Sequence, residues 1–181
     1  QFGFGWDQIH ASNARAIMLR MPAFGLDGPW RDRTGFAMTI EQASGLAWVT
    51  GNADGPPMVP RGVCDPFGGM HAVFAVLLAL RERERQGAGC LIELPLIEVG
   101  LNAAAEQLVE WSANHVLLER IGNRSRHHAP QGVYESSVAD SWVAVSVDDD
   151  AQWSALCSAI DAADLAADAT LATVEGRRAA H

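Results

Sequence analysis

Lysine is absent from the 181 residues, tyrosine occurs once, cysteine three times, and charged residues make up only 19% of the chain. Each shortage excludes a class of protein. All thirteen cations are arginines, set against twenty-two acidic residues, and the formal net charge of −9 excludes a phosphate-backbone partner such as nucleic acid. The arginines are scattered except for Arg81, Arg83 and Arg85, which alternate with Glu82 and Glu84 and read as a solvated helix end. Cys64, Cys90 and Cys157 are odd in number and lack CxxC spacing, which argues against a disulfide framework or structural zinc and for reduced thiols in the cytoplasm. The longest apolar run, around residues 72–80, is too short to span a bilayer. The opening residues lack the basic start and apolar stretch of a signal peptide, and they lack an initiator Met, so a processed product or a piece of a longer chain is expected.

What is present is a globular composition. Hydrophobic residues make up 49%, and a chain of this length can bury about two thirds of its surface. Residues 16–21 form a short apolar run closed by Pro22, Gly25 and Gly28, which predicts a buried strand feeding a loop able to hold a ligand. Apolar spacing over residues 38–48 is helical. Residues 67–85 are apolar nearly all round at their start, with Met70, Val73, Phe74, Val76, Leu77 and Leu80, and predict a buried helix ending at Gly87. A strand at 90–94 and a second long helix at 101–118 follow. Strands separated by helices predict an α/β fold with parallel connections. The polar stretch 123–130 marks a boundary, so 1–121 is read as part of a large α/β domain and 122–181 as part of a small one. In the latter, residues 142–147 alternate like a strand, 148–150 supply caps and 151–160 read as a helix.

Asp65 stands out among groups that could carry chemistry. It lies in Val63-Cys64-Asp65-Pro66-Phe67-Gly68-Gly69, ahead of the long helix, where Asp at the N-cap and Pro at the first helical position favour helix initiation. The same geometry keeps a carboxylate ionised, and Gly68 and Gly69 would leave space for a substrate, so the cap can also be a nucleophile. His71 reads as a hydrogen-bonded core histidine. His127 and His128 have no companion ligands at metal spacing. Glu98, Glu106 and Glu110 read as a polar helix face with Trp111, and the glycines match no dinucleotide or phosphate-loop fingerprint.

Taken in order, several segments resemble the class III coenzyme A transferases (the CaiB/BaiF group), which include formyl-CoA and carnitine CoA-transferases and, as a related branch, the α-methylacyl-CoA racemases. These segments are Phe24-Gly25-Leu26-Asp27-Gly28-Pro29-Trp30-Arg31-Asp32-Arg33, Ala43-Ser44-Gly45-Leu46 with Thr50-Gly51, Asp65 before its helix, Arg83-Glu84-Arg85-Gln86-Gly87-Ala88-Gly89, and Gly122-Asn123-Arg124 with Ala129-Pro130-Gln131-Gly132-Val133-Tyr134. The resemblance implies a parallel-sheet, Rossmann-like large lobe with a smaller α+β lobe. It implies Asp65 as catalytic nucleophile on an acyl-CoA, with Phe24, Gly25, Phe36, Gly68, Gly69 and Asn123 contacting substrate or CoA, and backbone N–H groups near Asp65 or after Gly122 meeting the oxyanion. Trp48, Phe67 and Met70 are candidates for the pocket lining. No metal and no permanently bound cofactor is implied; the CoA thioester is a substrate, as is a carboxylic acid acceptor. The racemase branch carries His where this chain has Phe36, which disfavours racemization, and many members carry an acidic residue where this chain has Ala37. Members are about twice this length and form interlocked dimers. A homodimer, or pairing with a separate N-terminal portion, is therefore expected, and a catalytically silent subunit of the same fold is the alternative from another class.

Overall fold

The computed structural model describes residues 3–180, and the chain divides into two units, one of Gln1–Gly51 with Gly55–Arg120 and one of Asn52–Asp54 with Ile121–His181. The first unit begins with α1 (Trp6–Ser12) and β1 (Met18–Arg20). It continues through α2 (Ala37–Ala43), α3 (Leu46–Val49) and α4 (Cys64–Gln86) to β2 (Leu91–Glu93), then α5 (Leu96–Ala103) and α6 (Ala105–Asn114). Strands β1 and β2 pair in parallel with Met18 opposite Leu91 and Arg20 opposite Glu93. Flanking bonds extend the pairing, from Met18 N–H to the Cys90 carbonyl at 3.0 Å and from Leu94 N–H to the Arg20 carbonyl at 2.9 Å. The parallel connection is as expected, but the Rossmann-like sheet is not: among the described residues the parallel sheet has two strands. Two strands offer too little face to cover helices on both sides, so the helices pack mainly on one another.

Helix α4 departs from its predicted burial. Its buried residues are Cys64, Gly68, Ala72 and Ala79, a stripe of small side chains that packs on α2 and α5. Met70, Val73, Phe74, Leu77 and Leu78 are exposed, Met70 by 67%. A helix apolar all round needs neighbours on all sides, and this unit supplies them on one. By length and composition α4 also suffices to cross a membrane, more than the apolar run alone suggests; its small-residue stripe belongs to the packing of this unit. It ends as expected at Gly87, whose φ of 80° lets its N–H reach the Arg83 carbonyl at 2.8 Å.

Two predicted helices are each broken in two. Gly45, at φ 86°, separates α2 from α3, and Ala104, fully buried at φ −94° and ψ 23°, separates α5 from α6. Helices α2 and α5, which precede the two breaks, pack together.

In the second unit β3 (Gln131–Glu135) and β4 (Trp142–Ser146) pair antiparallel, with Val133 opposite Ala144. Helix α7 (Asp150–Ala159) follows, with Asp149 as N-cap accepting from Gln152 N–H at 2.7 Å. Next come α8 (Ala163–Ala167), a 3-10 turn (Ala169–Leu171) and α9 (Val174–Ala180). Val147, Trp153 and Cys157 form its core. Arg177, 3% exposed, donates to the carbonyls of Ala129 and Leu171 and to Asp150, and its guanidinium lies 5.5 Å from the Trp153 ring centroid.

Candidate active site

One apolar cluster joins several of the segments that carry the sequence candidates of the first unit. Ala37, Ile40 and Cys64 are its buried members, with Ala23, Phe24, Leu46, Val63, Leu96 and Ile97 packed against them. The loop after β1, the first turn of α2, the head of α4 and the start of α5 therefore meet here. In parallel α/β sheets the carboxyl ends of strands are where ligands bind, and the loops after β1 and β2 both reach this cluster.

Asp65 is exposed and is the second residue of α4, not its N-cap. Val63 occupies the cap position with helical φ and ψ, and no side chain caps the helix. The difference arises because the turn at Gly62 already directs the chain into helix: Asp65 N–H bonds the Gly62 carbonyl at 3.3 Å, and Phe67 N–H bonds the Val63 carbonyl at 3.2 Å. Pro66 becomes the third helical residue, where its missing N–H still costs nothing. The Asp65 side chain makes no hydrogen bond or ion pair among the described residues, and as a carboxylate in the first turn it sits at the positive end of a 23-residue helix. Beside it the Cys64 thiol is pushed above its ordinary range, first by burial and then by the charges of Glu41 and Asp65.

Gly68 and Gly69 differ. A Cβ on Gly68 would meet Leu96 Cδ2 at 2.7 Å and Met21 Cε at 3.3 Å, so this glycine permits close packing; beside Gly69 there is open space. Phe24 is half-buried and makes an edge-to-face contact with Trp30, with centroids 5.3 Å apart. Gly25 is buried, and Leu26 N–H donates to Glu93 Oε1 at 2.6 Å, which pins the loop after β1 to the end of β2. Phe36, at the N-cap of α2, is 81% exposed. Trp48 is exposed with the Arg120 guanidinium 5.1 Å from its ring centroid, Phe67 is half-buried, and Met70 is exposed. Asn123 belongs to the other unit, exposed, its carbonyl accepting from Gln131 Nε2 at 3.2 Å.

Sequence reasoning missed Glu41. It is fully buried, and its two carboxylate oxygens accept from successive backbone amides, Oε2 from Arg61 N–H at 3.0 Å and Oε1 from Gly62 N–H at 2.7 Å. A signal for it exists, since Ala37, Ile40, Glu41 and Ser44 follow the i, i+3, i+4, i+7 spacing of a buried helix face. A carboxylate on such a face demands donors, and the donors are twenty residues away in sequence.

Of the histidines, His71 is half-buried rather than in the core, with Nδ1 2.8 Å from the Phe67 carbonyl, and His128 Nδ1 lies 2.8 Å from Asp148. Among the described residues no group of three or more His, Cys, Asp or Glu side chains is placed to hold a metal ion.

These features describe a mixed α/β chain that presents one solvent-facing carboxylate at the head of a long helix, beside the loops that follow two parallel strands. A family model described as CoA-transferase family III matches residues 1–181, and the chain belongs to that family. The succinyl-CoA–D-citramalate CoA-transferase of Chloroflexus aurantiacus is 30% identical over 178 residues, covering 98% of this chain and 44% of that protein. The succinyl-CoA–L-malate CoA-transferase beta subunit of the same organism is 33% identical over 169 residues, covering 92% and 42%. Among solved structures, a CaiB/BaiF family protein from Brucella suis superposes with a TM-score of 0.88 at 28% identity, covering 98% of this chain and 48% of that one. The chain spans less than half the length of these relatives.

Proposed function

We propose that this chain carries the nucleophile of a CoA-transferase, and that Asp65 is that nucleophile. The observation that supports the reading best is an exposed, unpartnered carboxylate held in the first turn of a long helix beside open space at Gly69. A carboxylate oxygen of Asp65 attacks the thioester carbonyl of the donor; the C–S bond breaks, CoA thiolate leaves, and a mixed anhydride forms on Asp65. The thiolate then attacks the aspartyl carbonyl, releasing the donor acid and leaving an aspartyl-CoA thioester. The acceptor carboxylate attacks that carbonyl and expels CoA thiolate, which attacks the acceptor carbonyl of the second anhydride. The new acyl-CoA departs, and Asp65 returns as a carboxylate with no net proton moved. The opening attack needs Asp65 as a carboxylate, the later steps need it as an acyl carrier, and backbone N–H groups near Asp65 serve the oxyanions.

Phe24, Gly25, Phe36 and Gly69 belong in this reading to the surroundings of CoA or substrate, while Gly68 serves the packing of the helix head on Leu96. The names of the two relatives make succinyl-CoA the first donor to try and a dicarboxylic acid the first acceptor. The protein works in the cytoplasm, on small acids and their CoA esters, with no nucleic acid, membrane or resident cofactor, as a homodimer or paired with a further N-terminal portion. The exposed apolar face of α4 supports such a packing partner. Racemization fits less well. It needs a second acid/base opposite Asp65, whereas Phe36 has no ionisable group and the Glu41 carboxylate is committed to two amides.

Intact-mass measurement after mixing with succinyl-CoA, with hydroxylamine as trap, tests the reading. A covalent adduct in the wild type that is absent from Asp65→Ala is expected; an adduct or CoA transfer that persists in Asp65→Ala overturns it.

A further inference from the structure

We infer that Glu41 is a positioning residue for Asp65: its carboxylate clamps the turn at Arg61 and Gly62, and the clamp sets the direction in which α4 presents the nucleophile. This rests on the reading of Asp65 as nucleophile and adds to it the residue that aims it.

Arg61 and Gly62 both have positive φ, 69° and 108°, so their amides belong to neither a helix nor a ladder. Successive amides in a turn can face the same side and make a small concavity for an anion. Glu41 fills that role from within the protein, one oxygen to each amide, and its complete burial is tolerable because both oxygens are bonded. Little slack lies between the clamp and the nucleophile. The carbonyl of clamped Gly62 accepts the Asp65 N–H at 3.3 Å, and Val63 is packed against the cluster in which Cys64 is buried. Glu41 itself is fixed, because Ile40 beside it is fully buried in that cluster. The direction of α4's first turn is thus decided in α2, a helix with no candidate catalytic group of its own. A neutral isostere cannot replace the clamp, since an amide offers one acceptor and turns its NH2 toward the second donor.

The test compares Glu41→Gln and Glu41→Ala with the wild type, and with Asp65→Asn as control. Hydrogen exchange at the Arg61 and Gly62 amides reads the clamp without chemistry; at least about tenfold faster exchange is expected for Glu41→Ala and an intermediate effect for Glu41→Gln. Single-turnover adduct formation from succinyl-CoA reads the aim. Displacement of a reacting group by about an ångström costs roughly a hundredfold, so that loss is expected at saturating donor for Glu41→Ala, with KM within about twofold and partial recovery in Glu41→Gln. Unchanged exchange overturns the clamp, and faster exchange with an unchanged adduct rate overturns the positioning role. If Glu41→Ala does not fold, Glu41→Gln carries both readouts. An adduct formed by Asp65→Asn, or none in the wild type, overturns the nucleophile and this inference with it, and is recognised because residue 41 is native in both proteins.

Discussion

Gly68 and Gly69 are neighbours in one helix with the same local propensity, so replacing each by alanine isolates what tertiary packing does at the head of α4. In a helix interior Ala is favoured over Gly by about 1 kcal/mol. At Gly69 the added methyl meets open space, and the full gain of about 1 kcal/mol is expected. At Gly68 the methyl falls 2.7 Å from Leu96 Cδ2 and 3.3 Å from Met21 Cε, well inside van der Waals contact. Both neighbours are ends of flexible side chains, so the overpacking cost belongs in the lower part of the usual range of about 1 to 3 kcal/mol. Gly68→Ala should therefore lie near neutral to about 1 kcal/mol destabilising, and the two variants should differ by about 1 to 2 kcal/mol where propensity alone predicts no difference. Urea denaturation of both variants measures the difference. Equal shifts in both would refute the packing of α4 on α5. If Gly69 borders the substrate, its variant should also raise KM for acyl-CoA while remaining the more stable of the two.

Three further outcomes follow from particular contacts. Cys90 is exposed while Cys64 and Cys157 are buried, and burial together with Glu41 and Asp65 raises the Cys64 thiol, so iodoacetamide at mild alkaline pH should label Cys90 first, as peptide mapping would show; early labelling of Cys64 contradicts the structure. The Asp168 carboxyl is held below its ordinary range by the Thr170 hydroxyl and then by the Thr170 N–H. A lowered folded pKa contributes stability above the unfolded value that is lost as pH falls through the folded one, so Asp168→Asn should flatten the acid side of a pH-stability curve and leave neutral pH the flatter region in both proteins. Arg177→Ala should destabilise the second unit by on the order of 3 kcal/mol, because it leaves the Ala129 and Leu171 carbonyls without their donor and opens space beside Trp153; a loss under about 1 kcal/mol by thermal denaturation would count against that clasp.

The exposed side of α4 links these energetics to function. Five large apolar side chains there make no use of this unit's core, which is the expected cost of two strands where a larger parallel sheet was foreseen. Tight packing at the Asp65 end, with an open apolar face farther along, fixes the surroundings of Asp65 within this chain while leaving the helix able to bury more surface.

Local chemistry was legible in the sequence because it acts over a few residues. The end of α4 at Gly87, the capping of α7 by Asp149, the strands near 18 and 91 and the prominence of Asp65 all follow from a residue's own conformational preferences and those of its immediate neighbours. Positions whose partners lie far along the chain were not legible. Asp65 moved from the cap to the second helical residue because Gly62 begins the turn, and Gly62 is held by Glu41 from another helix. Gly68 is committed to packing and Gly69 is open because only one of them faces Leu96. The breaks at Gly45 and Ala104 are marked by no periodicity in either segment. The sequence by itself therefore determined where β1, β2, α4, β4 and α7 form and which carboxylate heads the long helix, since those depend on short-range sterics and hydrogen bonding, whereas α1, β3, α8 and α9 carried no comparable signal. Which faces are buried, and what holds the turn ahead of Asp65, were decided by tertiary structure, because burial and buried hydrogen bonds require partners that only folding brings together.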